Sequence, residues 1–259
     1  MAFDAVFARD VALPLAAAGY DVMNGLPATL PAGFTQTALI RADTVALAAT
    51  ATVHPAVAAM AKDTDIFGLM GHNAATRTAF VAFRGSADLA DWVADIFAVP
   101  TAYAPIAGFG EVAAGFQAVY ELARGSVAAN LAAATAGCDD ILTTGHSLGA
   151  AVAVLAAPDV FRNMPPNVIE PRLITFAGPR VGLTGFATAF NMLIESCFRV
   201  VNYLDVVPQV PPKPYVDVGD EVAVDSGGPI DLGWRHSLNA YRDGLTALIG
   251  PGPSAGGSV

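Results

Sequence analysis

The chain has 259 residues, of which 54% are hydrophobic and 14% are charged. A chain of this length forms one α/β domain or two small ones, and we expect a single domain over residues 1–259. The net charge of −10 would repel phosphate backbones and anionic headgroups. We therefore expect no nucleic-acid partner.

The N-terminal half contains no convincing targeting or membrane segment. The Ala-rich stretch 44–61 is interrupted by His54 and Pro55, so it does not predict a membrane span. Asp4 and Asp10 lie where the start of a secretion signal would be basic. We expect a soluble protein without a clear signal peptide, and the sequence leaves its compartment open.

The two cysteines, Cys138 and Cys197, are too few for a disulfide framework and lack metal-ligand spacing. The sequence leaves open whether they form a single bridge. We expect no metal site in this chain.

Hydrophobic patterning predicts strands that alternate with helices. The predicted helices cover 3–20, 43–62, 116–134 and 147–157, with Pro158 closing the last one. The predicted strands cover 66–70, 78–83, 141–144, 173–176 and 198–203. This alternation predicts an α/β fold whose mostly parallel central sheet is covered by helices on both faces. The Gly-, Pro- and Ser-rich tail 250–259 is expected to be frayed and flexible.

The motif Gly145-His146-Ser147-Leu148-Gly149 follows a predicted strand and opens a predicted helix. In a G-x-S-x-G motif at such a turn, the serine adopts a strained backbone conformation, and the glycines let neighbouring segments approach closely. The positive end of the helix dipole then faces any negative charge that develops beside Ser147, which favours acyl transfer. The alternative is an ordinary helix-capping serine between two turn glycines.

A base for Ser147 is expected further along the chain, because the order on this architecture is serine, acid, histidine. His236 is the one histidine of the sequence that lies downstream of Ser147. His146 is adjacent to the serine and cannot fold back to accept its proton. His236 is therefore the predicted general base.

Asp205 is the predicted partner of His236, because it directly follows an apolar strand and a carboxylate there lies at the active edge of a sheet. It would accept the Nδ1 proton of the histidine and stabilise the imidazolium. The competing acids are interpreted as solvated charges in polar loops: Asp217, Asp220, Glu221, Asp225 and Asp231.

Four sequence blocks, together with His236, resemble the class 3 lipases, the fungal-type triacylglycerol lipases and their bacterial relatives. The blocks are Val81-Ala-Phe-Arg-Gly-Ser86, Thr144-Gly-His-Ser-Leu-Gly149, Thr175-Phe-Ala-Gly-Pro-Arg-Val-Gly182 and Val201-Asn-Tyr-Leu-Asp-Val-Val-Pro208. The resemblance implies an α/β-hydrolase fold and ester hydrolysis. It also implies that Ser86 and the backbone N–H of Leu148 form the oxyanion hole. The alternative role for Ser86 is to cap a following short helix.

Residues 87–97 are predicted to form a short amphipathic helix. Its apolar residues recur at helical spacing: Leu89, Trp92, Val93 and Ile96. The resemblance implies a lid over about residues 86–98, with Leu89, Trp92 and Val93 covering Ser147 when it is closed. The alternative is a fixed helix on the sheet edge. The resemblance further suggests that Asp95 orients Ser86, and a surface salt bridge is the competing role.

These observations predict a carboxylic ester hydrolase, most simply a lipase acting on acylglycerols through a serine acyl-enzyme. Such chemistry requires no metal or cofactor. The predicted partners are a small or lipid ester and, transiently, a lipid–water interface, whereas the oligomeric state is left open. The alternatives are a feruloyl esterase, a phospholipase A1 or a polyester hydrolase on the same scaffold, or a catalytically silent lipid-binding protein.

Overall fold

The computed structural model describes residues 2–52, 57, 58, 60, 64–86, 99–163 and 170–250. Within these residues a central sheet has seven strands in the order β1-β2-β3-β6-β7-β8-β9. The strands are β1 (Phe34–Arg41), β2 (Ile66–Asn73), β3 (Thr78–Phe83), β6 (Asp140–His146), β7 (Glu170–Phe176), β8 (Ser196–Asn202) and β9 (Asp220–Val224). A separate small pair is formed by β4 (Pro100–Ala102) and β5 (Glu111–Ala113).

The sheet is parallel from β3 onward and antiparallel at its other end, where β1, β2 and β3 pair. This confirms the mostly parallel sheet predicted from the alternation of strands and helices. Two strands of this sheet, β1 and β9, and the separate β4–β5 pair were not predicted. In β1 polar and apolar residues do not alternate regularly, so its pattern does not predict a strand. β9 is an edge strand that begins with two acidic residues and is exposed over much of its length.

Helices cover both faces of the sheet. They are α1 (Ala5–Phe7), α2 (Leu13–Met23), α3 (Thr44–Thr50), α4 (Ala114–Ala134), α5 (Leu148–Asn163), α6 (Thr184–Leu193), α7 (Leu232–His236) and α8 (Leu238–Ile249). A π-helical turn, Ala8–Ala12, joins α1 to α2. None of the helices within the described residues combines the length and apolarity needed to cross a bilayer.

The core is divided by the sheet, as β3 illustrates. Val81 and Phe83 point to the face covered by α4, α5 and α6, whereas Phe80 and Ala82 point to the face covered by α2 and α8. A strand buried on both sides must be apolar at every position, which explains its uninterrupted hydrophobic run.

The structure corrects one expectation about local sequence and answers one open question. Pro158 does not close its helix, because α5 continues through it to Asn163. Beyond the proline, Val160 is buried and Asp159 accepts hydrogen bonds from α4, so tertiary contacts hold the helix together. The open question of a disulfide is also resolved, since Cys138 and Cys197 are both free and buried.

Candidate active site

The predicted site residues follow strands that lie side by side in the sheet. β3 and β6 are parallel neighbours with Phe83 opposite Gly145, and β7 lies between β6 and β8 in the sheet. Ser86, Ser147 and Asp205 come just after β3, β6 and β8, and His236 ends α7 beyond β9. Because carboxyl ends of parallel strands share one edge, the sheet gathers these residues along that edge.

Ser147 occupies a sharp turn between β6 and α5. Its φ of 60° lies in the left-handed region, a conformation that costs a non-glycine residue about 1–2 kcal/mol. The turn is held by the Ser147 N–H, which donates to the carbonyl of Phe176 at 3.0 Å. A Cβ on Gly149 would lie 2.4 Å from the Phe83 carbonyl oxygen, so only glycine fits where the helix crosses β3. The strained turn predicted from the motif is therefore present.

Asp205 and His236 form a buried pair. The His236 Nδ1 lies 2.9 Å from Asp205 Oδ2, and the Asp205 side chain is fully buried. The carboxylate also accepts hydrogen bonds from the Tyr241 hydroxyl at 2.7 Å and from the Val207 N–H at 3.0 Å. Since a carboxylate only accepts, Nδ1 carries the imidazole proton and Nε2 presents a lone pair.

The His236 Nε2 is buried and, among the described residues, has no hydrogen-bond partner. The hydrogen bond from the Ser147 hydroxyl to this nitrogen is therefore not formed in this structure. The His236 ring nevertheless packs against the residue that precedes the serine, with 4.8 Å between the ring centroids of His146 and His236. Hydrogen bonds between nucleophile and base are often long without substrate and shorten when it binds.

The two predicted oxyanion donors follow the neighbouring strands β3 and β6. Leu148 is the first residue of α5 and is buried, and its N–H is one of those that have no acceptor within the helix. Ser86 is partly buried and lies three residues after β3.

The family model "Lipase (class 3)" matches residues 80–215, which include Ser86, Ser147 and Asp205. This chain belongs to the class 3 lipase family. The resemblance read from the four sequence blocks is thus confirmed.

Relatives of this family member include lipases and phospholipases A1. A phospholipase A1-II 4 from Oryza sativa subsp. japonica is 40% identical over 119 residues, covering 42% of this chain and 30% of the relative. A lipase from Rhizomucor miehei is 30% identical over 173 residues, covering 64% of this chain and 47% of the relative. The chain thus spans at most about half the length of these two curated relatives.

Solved structures of lipases share the fold. The native propeptide complex of Rhizomucor miehei lipase has 29% identity and a TM-score of 0.54, covering 60% of this chain and 51% of that one. A triacylglycerol lipase described as having a serine protease triad has a TM-score of 0.67 over 82% of this chain and 77% of that one. Its identity is 24%, so it supports the fold alone. The predicted α/β-hydrolase fold is confirmed.

The residues predicted to form the lid are Leu89, Trp92, Val93 and Asp95, and all four lie outside the described residues. The lid therefore remains a prediction.

The competing acids are engaged elsewhere, and they are not all in loops. Asp220 and Glu221 begin β9, which corrects their placement in a polar loop. Asp217 lies 3.1 Å from Arg199, Asp225 lies 2.8 Å from Arg235, and Asp231 caps α7 by accepting from the Trp234 N–H. Asp217, Asp225 and Asp231 thus each have a partner other than the His236 ring.

Three supporting residues of this site were not identified from the sequence. The Tyr241 hydroxyl donates to Asp205, and Asn202 Nδ2 donates to the carbonyl of Arg235, the residue before His236, at 2.8 Å. The Arg235 guanidinium in turn donates to the Pro229 carbonyl and to Asp225. Asn202 lies within the sequence block 201–208 that resembles the family, and Tyr241 lies five residues after His236. Neither position indicates a hydrogen bond near the site until the fold is known.

A cavity of about 750 Å³ lies between α4 and α5, lined by residues such as Tyr120, Arg124, Leu131 and Asp159. None of its lining residues belongs to the predicted site. Asp159 there accepts hydrogen bonds from Tyr120 and Arg124, both at 2.7 Å, and also from Asn163. This saturated carboxylate joins two helices, and its contacts indicate a structural role.

Proposed function

We propose that this family member hydrolyses carboxylic esters of lipids through an acyl-enzyme on Ser147. The observation that carries the proposal is the buried Asp205–His236 pair, whose imidazole packs on His146, the residue before a serine in a left-handed turn at the start of a helix. The names of the relatives, lipase and phospholipase A1, support the same reaction class.

In this mechanism His236 accepts the Ser147 proton at Nε2 while Oγ attacks the ester carbonyl carbon. Asp205 stays ionised, keeps the proton on Nδ1 and stabilises the imidazolium. The imidazolium then gives its Nε2 proton to the leaving alkoxide, which departs as the alcohol. Water repeats the sequence on the acyl-enzyme and releases the carboxylic acid.

The negative oxygen of each tetrahedral intermediate would be held by Ser86 and by the backbone N–H of Leu148. The positive end of α5 adds to this stabilisation, because Leu148 is its first residue. One positioned donor of this kind contributes about 10²- to 10³-fold to the rate.

A lipase acting on acylglycerols is the first candidate, and a phospholipase A1 is the second. The rice phospholipase A1, at 40% identity over its matched segment, specifically favours the second candidate. In both cases the substrate is a lipid ester and the chemistry at Ser147 is the same.

The proposal is tested by initial rates on p-nitrophenyl esters from acetate to palmitate, together with labelling by a fluorophosphonate. Ser147→Ala should abolish labelling and lower kcat by about 10³-fold or more, because the nucleophile is lost. Ser126→Ala is the matched control, since Ser126 lies on α4 and bonds to Leu39 and Arg41 instead. Equal labelling of wild type and Ser147→Ala, or a wild type without ester hydrolysis, would contradict the proposal.

A further inference from the structure

His146 is a buried histidine directly before Ser147. The proposed mechanism assigns no role to its imidazole. Its Nε2 lies 2.7 Å from the backbone carbonyl oxygen of His236, and its Nδ1 lies 2.8 Å from the Tyr20 hydroxyl. Burial, with a further contribution from His236, lowers the pKa of His146 to about 3. The ring is therefore neutral at neutral pH.

The hydrogen bonds of this neutral ring can run in one direction only. A carbonyl oxygen accepts, so Nε2 must carry the proton that is donated to His236. Nδ1 is then the unprotonated nitrogen, and Tyr20 must donate its hydroxyl proton to it. The Tyr20 hydroxyl in turn lies against the backbone of Gly85. Two hydrogen bonds thus link Tyr20, His146 and the backbone of His236.

These contacts involve the residues that precede Ser86 and Ser147, and they reach the predicted base itself. Gly85 precedes Ser86, His146 precedes Ser147, and the last acceptor belongs to His236 itself. A Cβ added at Gly85 would lie 2.3 Å from the Tyr20 hydroxyl and 3.2 Å from the Ser147 Cβ. The three segments therefore meet at a point that has no room for a side chain.

We propose that Tyr20 and His146 are positioning residues, whose hydrogen bonds hold the backbone of His236 against the turn that carries Ser147. The inference rests on the proposed function and assigns two residues that support its base. Asp205 binds the His236 ring through Nδ1, which leaves the ring able to pivot about that contact. The second anchor, at the carbonyl of the same residue, fixes the backbone from which the ring extends, and the His146 ring packs against the His236 ring, so that together they place Nε2 for the Ser147 proton. A displacement of about 1 Å at a reacting group lowers rates by about 10²-fold.

The groups around His146 favour its neutral form throughout the reaction. Its ring contacts the rings of Tyr20 at 5.9 Å, His236 at 4.8 Å and Tyr241 at 6.1 Å, from α2, α7 and α8 respectively. Burial raises the pKa of the Tyr20 hydroxyl and the Arg84 charge only partly opposes this, so the hydroxyl remains a donor. When His236 becomes an imidazolium during turnover, a neutral His146 does not repel it, and its carbonyl anchor stays in place.

Three variants test the assignment on p-nitrophenyl butyrate. Tyr20→Phe removes one hydroxyl and should lower kcat about 5- to 10-fold, whereas His146→Leu removes the whole bridge and should lower it about 50- to 100-fold. KM should change less than about twofold, since neither residue is proposed to bind substrate. His146→Gln retains an amide donor for the His236 carbonyl and should recover most of the lost kcat.

Tyr103→Phe is the matched control for losing a buried tyrosine hydroxyl. Tyr103 donates to the Leu155 carbonyl at 2.5 Å, on the other face of the sheet, so this variant should keep wild-type kcat. A wild type that hydrolyses esters and takes up fluorophosphonate, with Tyr20→Phe and His146→Leu within twofold of its kcat, would overturn the bridge and leave the proposed function intact. A wild type that does neither would overturn both.

The tautomer of His146 provides a readout that needs neither turnover nor a stable His146→Leu variant. Two-bond ¹⁵N–¹H spectra of the wild type should show the proton on Nε2 of His146, unchanged from about pH 8 to about pH 5. In Tyr20→Phe the His146 Nδ1 signal should shift because its donor is lost. A proton on Nδ1, or titration of His146 within this range, would overturn the proposal.

Discussion

The Asp205 carboxylate is held by groups that differ in what they contribute. The Val207 N–H donates from the same turn as Asp205, whereas the Tyr241 hydroxyl donates from the distant helix α8. Tyr241 also accepts the Asn202 N–H at 3.2 Å, so it joins the end of β8 to the acid. Burial and then the Asp205 charge raise the pKa of Tyr241, which keeps its hydroxyl a donor.

Tyr241→Phe is therefore expected to leave both the carboxylate and the Asn202 N–H short of a partner. We expect kcat/KM to fall about 10-fold, because Asp205 is less firmly oriented toward His236. The free energy of unfolding should fall by about 1–3 kcal/mol, as is usual when buried polar groups lose a hydrogen bond. Ester kinetics and urea denaturation measure the two effects, and kcat/KM within twofold of the Tyr103→Phe control would refute the positioning role of Tyr241.

Among the elements, the α4–α5 contact shows how the helix that begins beside Ser147 is secured at its far end. Asp159 receives hydrogen bonds from Arg124 and Tyr120 of α4 and from Asn163 of α5. Burial alone would raise the pKa of Asp159, but the hydrogen bonds from Arg124 and Tyr120 outweigh it and the pKa is lowered. The ionised carboxylate therefore stabilises the folded state.

Because the pKa of folded Asp159 is lowered, its contribution is fully present above the unfolded value of about 3.9 and is lost as the pH falls through the folded value. Asp159→Asn should therefore lower the free energy of unfolding by about 1–3 kcal/mol at neutral pH. The difference from wild type should shrink below about pH 3.9.

Urea denaturation at neutral and acidic pH measures this dependence. Asp139→Asn is the matched control, since Asp139 pairs with Arg77 where both side chains are more than half exposed. An exposed pair contributes about 0–1 kcal/mol, so this variant should remain near wild type. Equal destabilisation by the two substitutions would contradict the structural role of Asp159.

At the scale of the whole molecule, the net charge of −10 bears on which lipid surface the protein approaches. Anionic headgroups repel an acidic protein, and salt screens that repulsion within about 10 Å at 0.1 M. Neutral acylglycerols and zwitterionic lipids impose no such barrier.

Hydrolysis of tributyrin should therefore be faster than hydrolysis of phosphatidylglycerol vesicles. Phosphatidylcholine vesicles are the control for headgroup charge, because the ester bonds are the same. The phosphatidylglycerol rate should lie below the phosphatidylcholine rate at low salt and approach it near 1 M salt, where the screening length is about 3 Å. A higher rate on phosphatidylglycerol than on tributyrin would contradict this expectation.

The sequence predicted those parts of the fold whose signals are local. The buried strands β3, β6, β7 and β8 are short apolar runs, and the turn at Ser147 is set by glycines within two residues of it. β9 and the continuation of α5 past Pro158 escaped prediction, because an acidic edge strand and a helical proline are stabilised by partners distant in sequence. His236 was predicted because it is the one histidine after the serine, and Asp205 because it directly follows an apolar strand.

The sequence by itself determined the family, the strand–turn–helix that presents Ser147, and the identity of the acid and base predicted to serve it. The tertiary structure decided what holds those groups in place. Tyr20 reaches His146 from 126 residues away, and His146 reaches the His236 carbonyl from 90 residues away. A hydrogen bond between such distant residues leaves no periodicity or spacing in the sequence, because it depends on how helices settle on the two faces of the sheet.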